Sequence, residues 1–180
     1  LGAGFGGTAR YLVKRYGCRV TALNISEAEN ERNRRMNREQ GVADRIEVVD
    51  GSFEELPFED ERFDVVWSQD AFLHSSDRAG VLREASRVLA SDGEFVFTDP
   101  MMADDCPPEV LAPIFERLKL SSLGSPRFYQ EAARAAGMDV VAFDDLSPHL
   151  ARHYGAVLRE TERREPAVRG EISQDYLDRM

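Results

Sequence analysis

A glycine-rich run, Gly2-Ala3-Gly4-Phe5-Gly6-Gly7, stands directly ahead of a helical pattern. No other feature constrains the fold as strongly. Glycines at these spacings let a strand turn sharply into a helix and let backbone approach a ligand with no Cβ in the way. From Thr8 to Tyr16 the apolar residues Ala9, Leu12, Val13 and Tyr16 fall at helical spacing, and Gly17 is placed to end that helix. Arg19 to Ile25 reads as a strand. Ser26 then reads as an N-cap, with Glu29 three residues on as in a capping box. Glu27 to Gln40 is a polar, charge-rich helix closed by Gly41, and Ile46 to Val49 is a short strand ending at Asp50-Gly51. Phe63 to Ser68 is a continuous apolar run, the pattern of a strand buried on both faces of a parallel sheet. A helix over Arg78 to Ala90 groups Val81, Leu82, Ala85, Val88 and Leu89, and Asp92-Gly93 turns into a strand over Glu94 to Thr98. Past Asp99-Pro100 the spacing predicts helices over Pro108–Leu120 and Pro126–Ala136, a strand over Asp139–Phe143, and a polar helix from Pro148 to about Arg164. Ala167 to Met180 carries no strong signal.

Strand and helix alternate with short connections, which predicts an α/β fold with a doubly wound, mostly parallel sheet. A glycine loop of this kind normally follows a buried strand, and only Leu1 stands ahead of it. The chain is therefore read as an internal fragment lacking most of the first strand and the N-terminal helices. At 180 residues it is one domain, with residues 1–100 as the ligand-binding core and 101–180 as the later, substrate-side helices and strand.

The formal net charge is −10, from 33 acidic and 23 basic residues. A surface of that sign repels phosphate backbones and anionic lipid heads, so neither nucleic acid nor a membrane is an expected partner. No apolar run approaches the ~18 residues of a spanning helix. Cys18 and Cys106 form neither a disulfide framework nor a metal cluster, which suits a reducing cytoplasm. The expected assembly is a monomer or a weak dimer, and no metal site is expected.

The loop satisfies G-x-G-x-x-G through Gly2, Gly4 and Gly7, a motif open to two cofactors. In dinucleotide enzymes the helix N-terminus cradles a pyrophosphate. In S-adenosylmethionine enzymes the loop packs against the methionine part and the ribose. A dinucleotide enzyme also wants an acid at the end of the next strand to bind ribose hydroxyls. Asn24 holds that position, able to bond a hydroxyl but carrying no charge.

Five pieces then follow in order: the glycine loop, Asp50-Gly51-Ser52-Phe53, Leu56-Pro57-Phe58, Phe63-Asp64-Val65-Val66-Trp67, and the L-x-x-x-G-x-F run from Leu89 to Phe95. Over residues 1 to about 100 this set resembles the class I S-adenosylmethionine-dependent methyltransferases. The resemblance implies Asp50 near the adenine amine and Ser52 or Phe53 beside the ring, with Gly2, Gly4, Gly7, Asn24 and Gln69 completing the cofactor contacts.

A narrower resemblance rests on Trp67-Ser68-Gln69-Asp70-Ala71-Phe72-Leu73-His74, on Asn24-Ile25-Ser26-Glu27, on Thr98-Asp99-Pro100-Met101, on Asp104-Asp105-Cys106-Pro107-Pro108, on Gly124-Ser125-Pro126 with Phe128-Tyr129, and on His153-Tyr154-Gly155. These look like the sarcosine/dimethylglycine N-methyltransferases that make glycine betaine, a group similar to this chain in its Asn at position 24. The phosphobase enzymes carry Arg where this chain has Gln69, which argues against a phosphorylated substrate. The resemblance implies a small amine as substrate, with methylation of another small molecule such as a phosphobase, phenol or quinone, or an NAD-dependent oxidoreductase, as the alternatives, and the chemistry of strand ends supplies candidate roles. Asp70 attracts a cationic amine and His74 orients or deprotonates it. A substrate carboxylate needs a cation, for which Arg127 and Arg117 are candidates. Tyr129, with His153 and Tyr154, offers aromatic surface to a methylammonium group. Asp104-Asp105 lacks a third ligand at metal spacing and is read as a solvated loop.

Overall fold

The computed structural model describes residues 1–168, apart from the side chains of Pro108, Arg117 and 165–168. The sequence stretch 169–180 and the Arg117 side chain thus lie outside the described residues. Eleven elements follow in order: α1 (Gly7–Tyr16), β1 (Val20–Asn24), α2 (Glu27–Glu39), β2 (Ile46–Asp50), β3 (Phe63–Gln69), a 3-10 turn (Phe72–His74), α3 (Arg78–Val88), β4 (Leu89–Thr98), α4 (Pro108–Leu118), α5 (Pro126–Ala135) and α6 (Ser147–Val168). Two compact units divide the chain, Leu1–Val140 and Val141–Met180. Among the described residues no helix is long and apolar enough to cross a membrane.

The caps form where the side chains demand them. Gly17 adopts φ 68° and its N–H donates to the Val13 carbonyl, ending α1. The Ser26 hydroxyl accepts from the Glu29 N–H and opens α2. All the described strand pairs are parallel. In β1–β2, Val20 is opposite Ile46 and Asn24 opposite Asp50; in β3–β4, Val65 is opposite Glu94 and Gln69 opposite Thr98. The ladder is two pairs rather than one run. Leu1 to Ala3 lies between them, with Ala3 N–H donating to Leu23 O at 3.0 Å and Leu1 N donating to Trp67 O at 2.6 Å. Three residues are too few to count as a strand, but they tie the two pairs together.

Alternation along β1 sends consecutive residues to opposite faces. Ala22 joins Ala9, Val13, Val42 and Ile46 beneath α1, whereas Leu23 joins Leu56, Val66, Ala85 and Val88 beneath α3. A third cluster, Phe72, Val81, Leu82 and Tyr129, seats α5 against α3.

The structure corrects three sequence expectations. β3 is not buried on both faces. Val66 and Ser68 are buried, while Val65 and Trp67 are 53% and 38% exposed, because among the described residues α3 covers only one side. The chain does not turn at Asp92-Gly93. Helix α3 stops at Val88 and β4 begins at once, since Leu89 pairs with Phe63, and the extra residues are absorbed as an irregularity before Glu94. Gly93 sits in that crowding, where a Cβ would lie 2.9 Å from the Asp64 carbonyl oxygen. Finally, Asp139–Phe143 is not a strand. Val141 is 93% exposed, and an extended segment becomes a strand only when its N–H and C=O groups meet a neighbour.

The polar helix α2 holds the least expected packing. Asn30, Asn33 and Asn37 share one helical stripe and are fully buried, Asn33 and Asn37 against a buried Arg10 on α1 and Asn30 against the ends of β1 and β2. Arg10 donates to Asn33 Oδ1 at 3.1 Å and Asn37 Oδ1 at 3.0 Å. Burial holds the Arg10 guanidinium below its usual pKa range.

Several carboxylates fasten loops to helix starts. Glu54 accepts from Ser75 Oγ at 2.6 Å and from Ser76 N–H at 2.8 Å, ahead of α3. Asp104 accepts from Ser125 Oγ at 2.6 Å and from Arg127 N–H at 3.0 Å, ahead of α5. Glu84 accepts from Arg87 and from Leu56 N–H. These bonds hold all three pKa values below the ordinary range, led by Ser75 for Glu54, Ser125 for Asp104 and Arg87 for Glu84. Their stabilisation is complete above the unfolded carboxylate range of ~4 and is lost as pH falls through the folded values. Thermal melts followed by circular dichroism should therefore show a midpoint that is level near neutrality and falls steadily below about pH 4. A midpoint that rises on acidification would refute this.

Candidate functional site

Parallel strands place their C-terminal ends along one edge, and there the sheet collects Asn24, Asp50, Gln69, Asp70, Thr98 and Asp99 beside the glycine loop. The loop is held by three left-handed glycines, Gly2 (φ 65°), Gly4 (φ 49°) and Gly6 (φ 73°). A Cβ on Gly2 would lie 2.5 Å from Ala71 Cβ and 3.7 Å from the Phe53 ring. A Cβ on Gly6 would lie 2.1 Å from Asn33 Oδ1. Gly4 meets no atom within 4 Å and therefore borders open space. Gly2 and Gly6 are thus closed against the protein, and Gly4 faces outward. Gly7 is an ordinary first residue of α1 with open space around it, so the close-packing role belongs to Gly6. Both positions are glycine in Gly6-Gly7, and only the tertiary contact with Asn33 tells them apart.

Asn24 is 8% exposed, and its Nδ2 donates to Glu29 Oε2 at 2.9 Å. Asn30 Nδ2 donates both to the Asn24 carbonyl and to Asp50 Oδ1, each at 2.8 Å, stitching the ends of β1 and β2. Arg34 donates to the other Asp50 oxygen. The Asn30 bond, then Arg34, hold the Asp50 carboxyl below its usual range, keeping it an acceptor. Ser52 Oγ accepts from Glu54 N–H at 3.1 Å, and Phe53 meets Phe72 edge-on with centroids 5.5 Å apart. Thr8 Oγ1 donates to Gln69 Oε1 at 3.0 Å, joining the start of α1 to the end of β3.

Asp70 is held in the left-handed region at φ 50°. Its N–H donates to Thr98 O at 2.8 Å, and its Oδ1 accepts from Thr98 Oγ1 at 2.9 Å. A non-glycine residue in that conformation, over-determined by its neighbours, is the kind of local strain that gathers at functional sites. His74 ends the 3-10 turn with its ring exposed, and among the described residues no hydrogen bond engages its imidazole.

Two residues to which the sequence assigns no site role, Asp99 and Arg78, brace this turn. Asp99 accepts from Leu73 N–H at 3.0 Å and from Tyr129 Oη–H at 2.6 Å. Arg78, buried, donates to the Leu73 carbonyl and to Ser122 O, both at 2.7 Å. Both polar groups of Leu73 are thereby held, and with them the turn that carries His74. Burial raises the Asp99 carboxyl despite those bonds, and burial followed by the Asp99 charge raises the Tyr129 phenol. Tyr129 is 2% exposed with its hydroxyl committed to Asp99, so it supports the site from beneath. A signal existed: Gly124 is the residue that clears room for Tyr129, since a Cβ there would lie 2.4 Å from its ring. Arg127 is exposed at the start of α5. His153 and Tyr154 meet edge-on at 5.4 Å within the second unit. Asp104 is an α5 cap, and among the described residues no group of three His, Cys, Asp or Glu is placed to hold a metal. A surface hollow of about 420 Å³ near the start of α3 is lined by Glu54, Asp77, Glu84 and Arg87, whose charges already bond protein groups. It is separate from the strand-end edge.

Known proteins share this arrangement. The Methyltransferase domain family matches residues 1–97. A sarcosine/dimethylglycine N-methyltransferase of Halorhodospira halochloris is 57% identical, over 100% of this chain and 64% of its own length. The chain thus spans somewhat under two thirds of that relative. A crystal structure from Galdieria sulphuraria, of a protein assigned only provisionally as a sarcosine dimethylglycine methyltransferase, superposes with a TM-score of 0.91 at 38% identity, over 98% of this chain and 66% of that one. A geranyl diphosphate methyltransferase solved in complex with SAM superposes with a TM-score of 0.77 at 25% identity, over 82% and 59%. The glycine loop, the parallel strands and their shared edge are those of class I methyltransferases, and the chain belongs to the methyltransferase-domain family.

Proposed function

We propose that this chain is the cofactor-binding and catalytic part of an S-adenosylmethionine-dependent N-methyltransferase that acts on sarcosine or N,N-dimethylglycine and forms glycine betaine. The observation that carries the reading is the glycine loop. Gly2 and Gly6 close it against the protein while Gly4 borders open space, and the ends of the parallel strands put Asn24, Asp50 and Asp70 on the edge beside this loop. The names of the relatives point to the amine.

The residues fit the cofactor. Asn24 faces the ribose, and Asp50, held ionised, accepts from the adenine amine through a lone pair that Asn30 and Arg34 leave over. Phe53, with Ser52, flanks the adenine, and Gly2, Gly4, Gly7 and Gln69 complete the contact. When bound, S-adenosylmethionine supplies an electrophilic methyl group to an in-line displacement by the amine nitrogen. The chain's task is to hold that nitrogen close and aligned. Asp70 draws the protonated amine to the end of β3. His74 orients the nitrogen and holds its proton as the lone pair is freed. Arg127 pairs with the substrate carboxylate, and Tyr129 backs this side of the site. Residues 1–100 form the cofactor core, and the segment from Met101 onward carries the substrate side. The protein works in the cytoplasm as a monomer or weak dimer, which suits its two free thiols.

Calorimetric titration of the full-length protein with S-adenosylhomocysteine and with NADH tests the cofactor, and product formation from a panel of amines tests the substrate. Binding of S-adenosylhomocysteine alone, with turnover of sarcosine and dimethylglycine but not of phosphoethanolamine, is expected. Binding of NADH instead would reject the reading.

Gly4 gives a sharper check. Gly4→Ala places a methyl group in the open space at a cost of only about 1 kcal/mol in backbone strain. The variant should stay folded and bind S-adenosylhomocysteine roughly tenfold or more weakly, since ~1.4 kcal/mol of lost contact is tenfold. An unchanged dissociation constant would place the cofactor elsewhere.

A further inference from the structure

Recognition of a ribose needs two acceptors for two neighbouring hydroxyls, and a single strand-end carboxylate supplies both. Asn24, at that position in this chain, has one acceptor oxygen. Its amide nitrogen donates to Glu29 Oε2 at 2.9 Å. That bond sets the orientation of the amide, leaving Oδ1 as the acceptor, with no donor to it among the described residues. Asn24 is more than nine-tenths buried as a residue, yet its Oδ1 is not among the buried unpartnered atoms of the described residues, so this acceptor stays open and can meet a ligand.

Glu29 is equally telling. In a capping box its carboxylate would bond back to the N–H of Ser26. The Ser26 hydroxyl does accept from the Glu29 N–H, but the Glu29 carboxylate goes to Asn24 instead. Its second oxygen meets no donor among the described residues, and its place in the first turn of α2 favours the negative charge. The two side chains are clamped together, and each keeps one acceptor in reserve.

We propose that Asn24 and Glu29 act as a split carboxylate: Asn24 Oδ1 accepts from one ribose hydroxyl of the cofactor and Glu29 Oε1 from the other. Glu29 is then a specificity-determining residue for the ribose diol, contributed by a helix rather than by the strand end. The proposal rests on the cofactor reading above.

The test uses the full-length protein and two ligands, S-adenosylhomocysteine and its 2′,3′-dideoxy analogue, each titrated calorimetrically. Glu29→Gln should weaken S-adenosylhomocysteine roughly ten- to a hundredfold, the range for a lost bond to a charged acceptor, and leave the dideoxy analogue unchanged. Asn24→Asp sets two carboxylates against each other and should also weaken the parent ligand. The exchange Asn24→Asp with Glu29→Gln re-creates one acid and one amide and should restore the affinity to within about threefold. Equal losses for both ligands in Glu29→Gln, or no loss for either, would overturn the proposal and leave Glu29 as a packing residue. Failure of the unmodified protein to bind S-adenosylhomocysteine would overturn the cofactor reading and this assignment with it.

Discussion

His74→Ala should lower kcat by about 10²-fold, the usual scale for lost acid–base assistance, and leave S-adenosylhomocysteine affinity close to normal. Asp70→Asn should raise the amine KM instead, because it keeps the side-chain shape while removing the charge proposed to draw the amine. Geometry supports dividing the roles this way. The Asp70 backbone is fixed at φ 50° by paired contacts with Thr98, so its carboxyl is presented at one place. Asparagine tolerates the left-handed region about as well as aspartate, and the fold should be undisturbed. Asp70→Gly is the useful control. It relieves the strain, so its stability should match or exceed that of the parent by up to about 1 kcal/mol, while amine turnover falls. Steady-state kinetics with sarcosine, alongside thermal melts, separate the outcomes. If His74→Ala lowers only the melting temperature and kcat survives, His74 belongs to the scaffold. The same holds for Asp70 if its substitution weakens the cofactor and not the amine.

The second large effect is on stability. Asp99→Ala should cost roughly 3–5 kcal/mol, because truncating one member of a buried network strands the others. The variant leaves Leu73 N–H and the Tyr129 hydroxyl without their acceptor, and Arg78 without the nearby negative charge. Tyr129→Phe should cost less, about 1–2 kcal/mol, since Asp99 keeps its bond from Leu73 and the ring still fills the space beside Gly124 and Phe97. Urea unfolding of both variants measures the difference. Near-equal costs would mean that Asp99 contributes through Tyr129 alone. The network also reaches the site, because Leu73 precedes His74 in the turn that Asp99 holds. A surviving Asp99→Ala enzyme should therefore lose kcat while keeping cofactor affinity.

Much of this frame was legible in the residues. A left-handed glycine, a serine that caps a helix, and an apolar run of strand length act through their own backbone or a few neighbours. Gly17 and Ser26 cap their helices from the sequence position alone, whereas the Asp77 cap of α3 emerged only with the structure. The site was legible in outline for the same reason: parallel strands deliver their ends to one edge, so Asn24, Asp50 and Asp70 had to lie there. Helix α2 shows where that reasoning stops. Its stripe of Asn30, Asn33 and Asn37 has the spacing of a buried face and the polarity of an exposed one. Only partners from other elements make that burial tolerable: Arg10 of α1 donates to Asn33 and Asn37, and Asn30 donates to the strand ends at Asn24 and Asp50.

Local order therefore dictates elements, caps and the direction of the strands, since each depends on torsions and contacts within a few residues. Partners distant in sequence dictate the rest. Asp99 becomes a keystone only because α5 delivers Tyr129 to it, Gly6 outranks Gly7 only because Asn33 arrives against it, and Glu29 serves Asn24 rather than its own cap only because α2 folds back over β1. Hydrogen bonds and steric contacts act over about 3–4 Å, so which side chains they join is settled by packing and not by chain position.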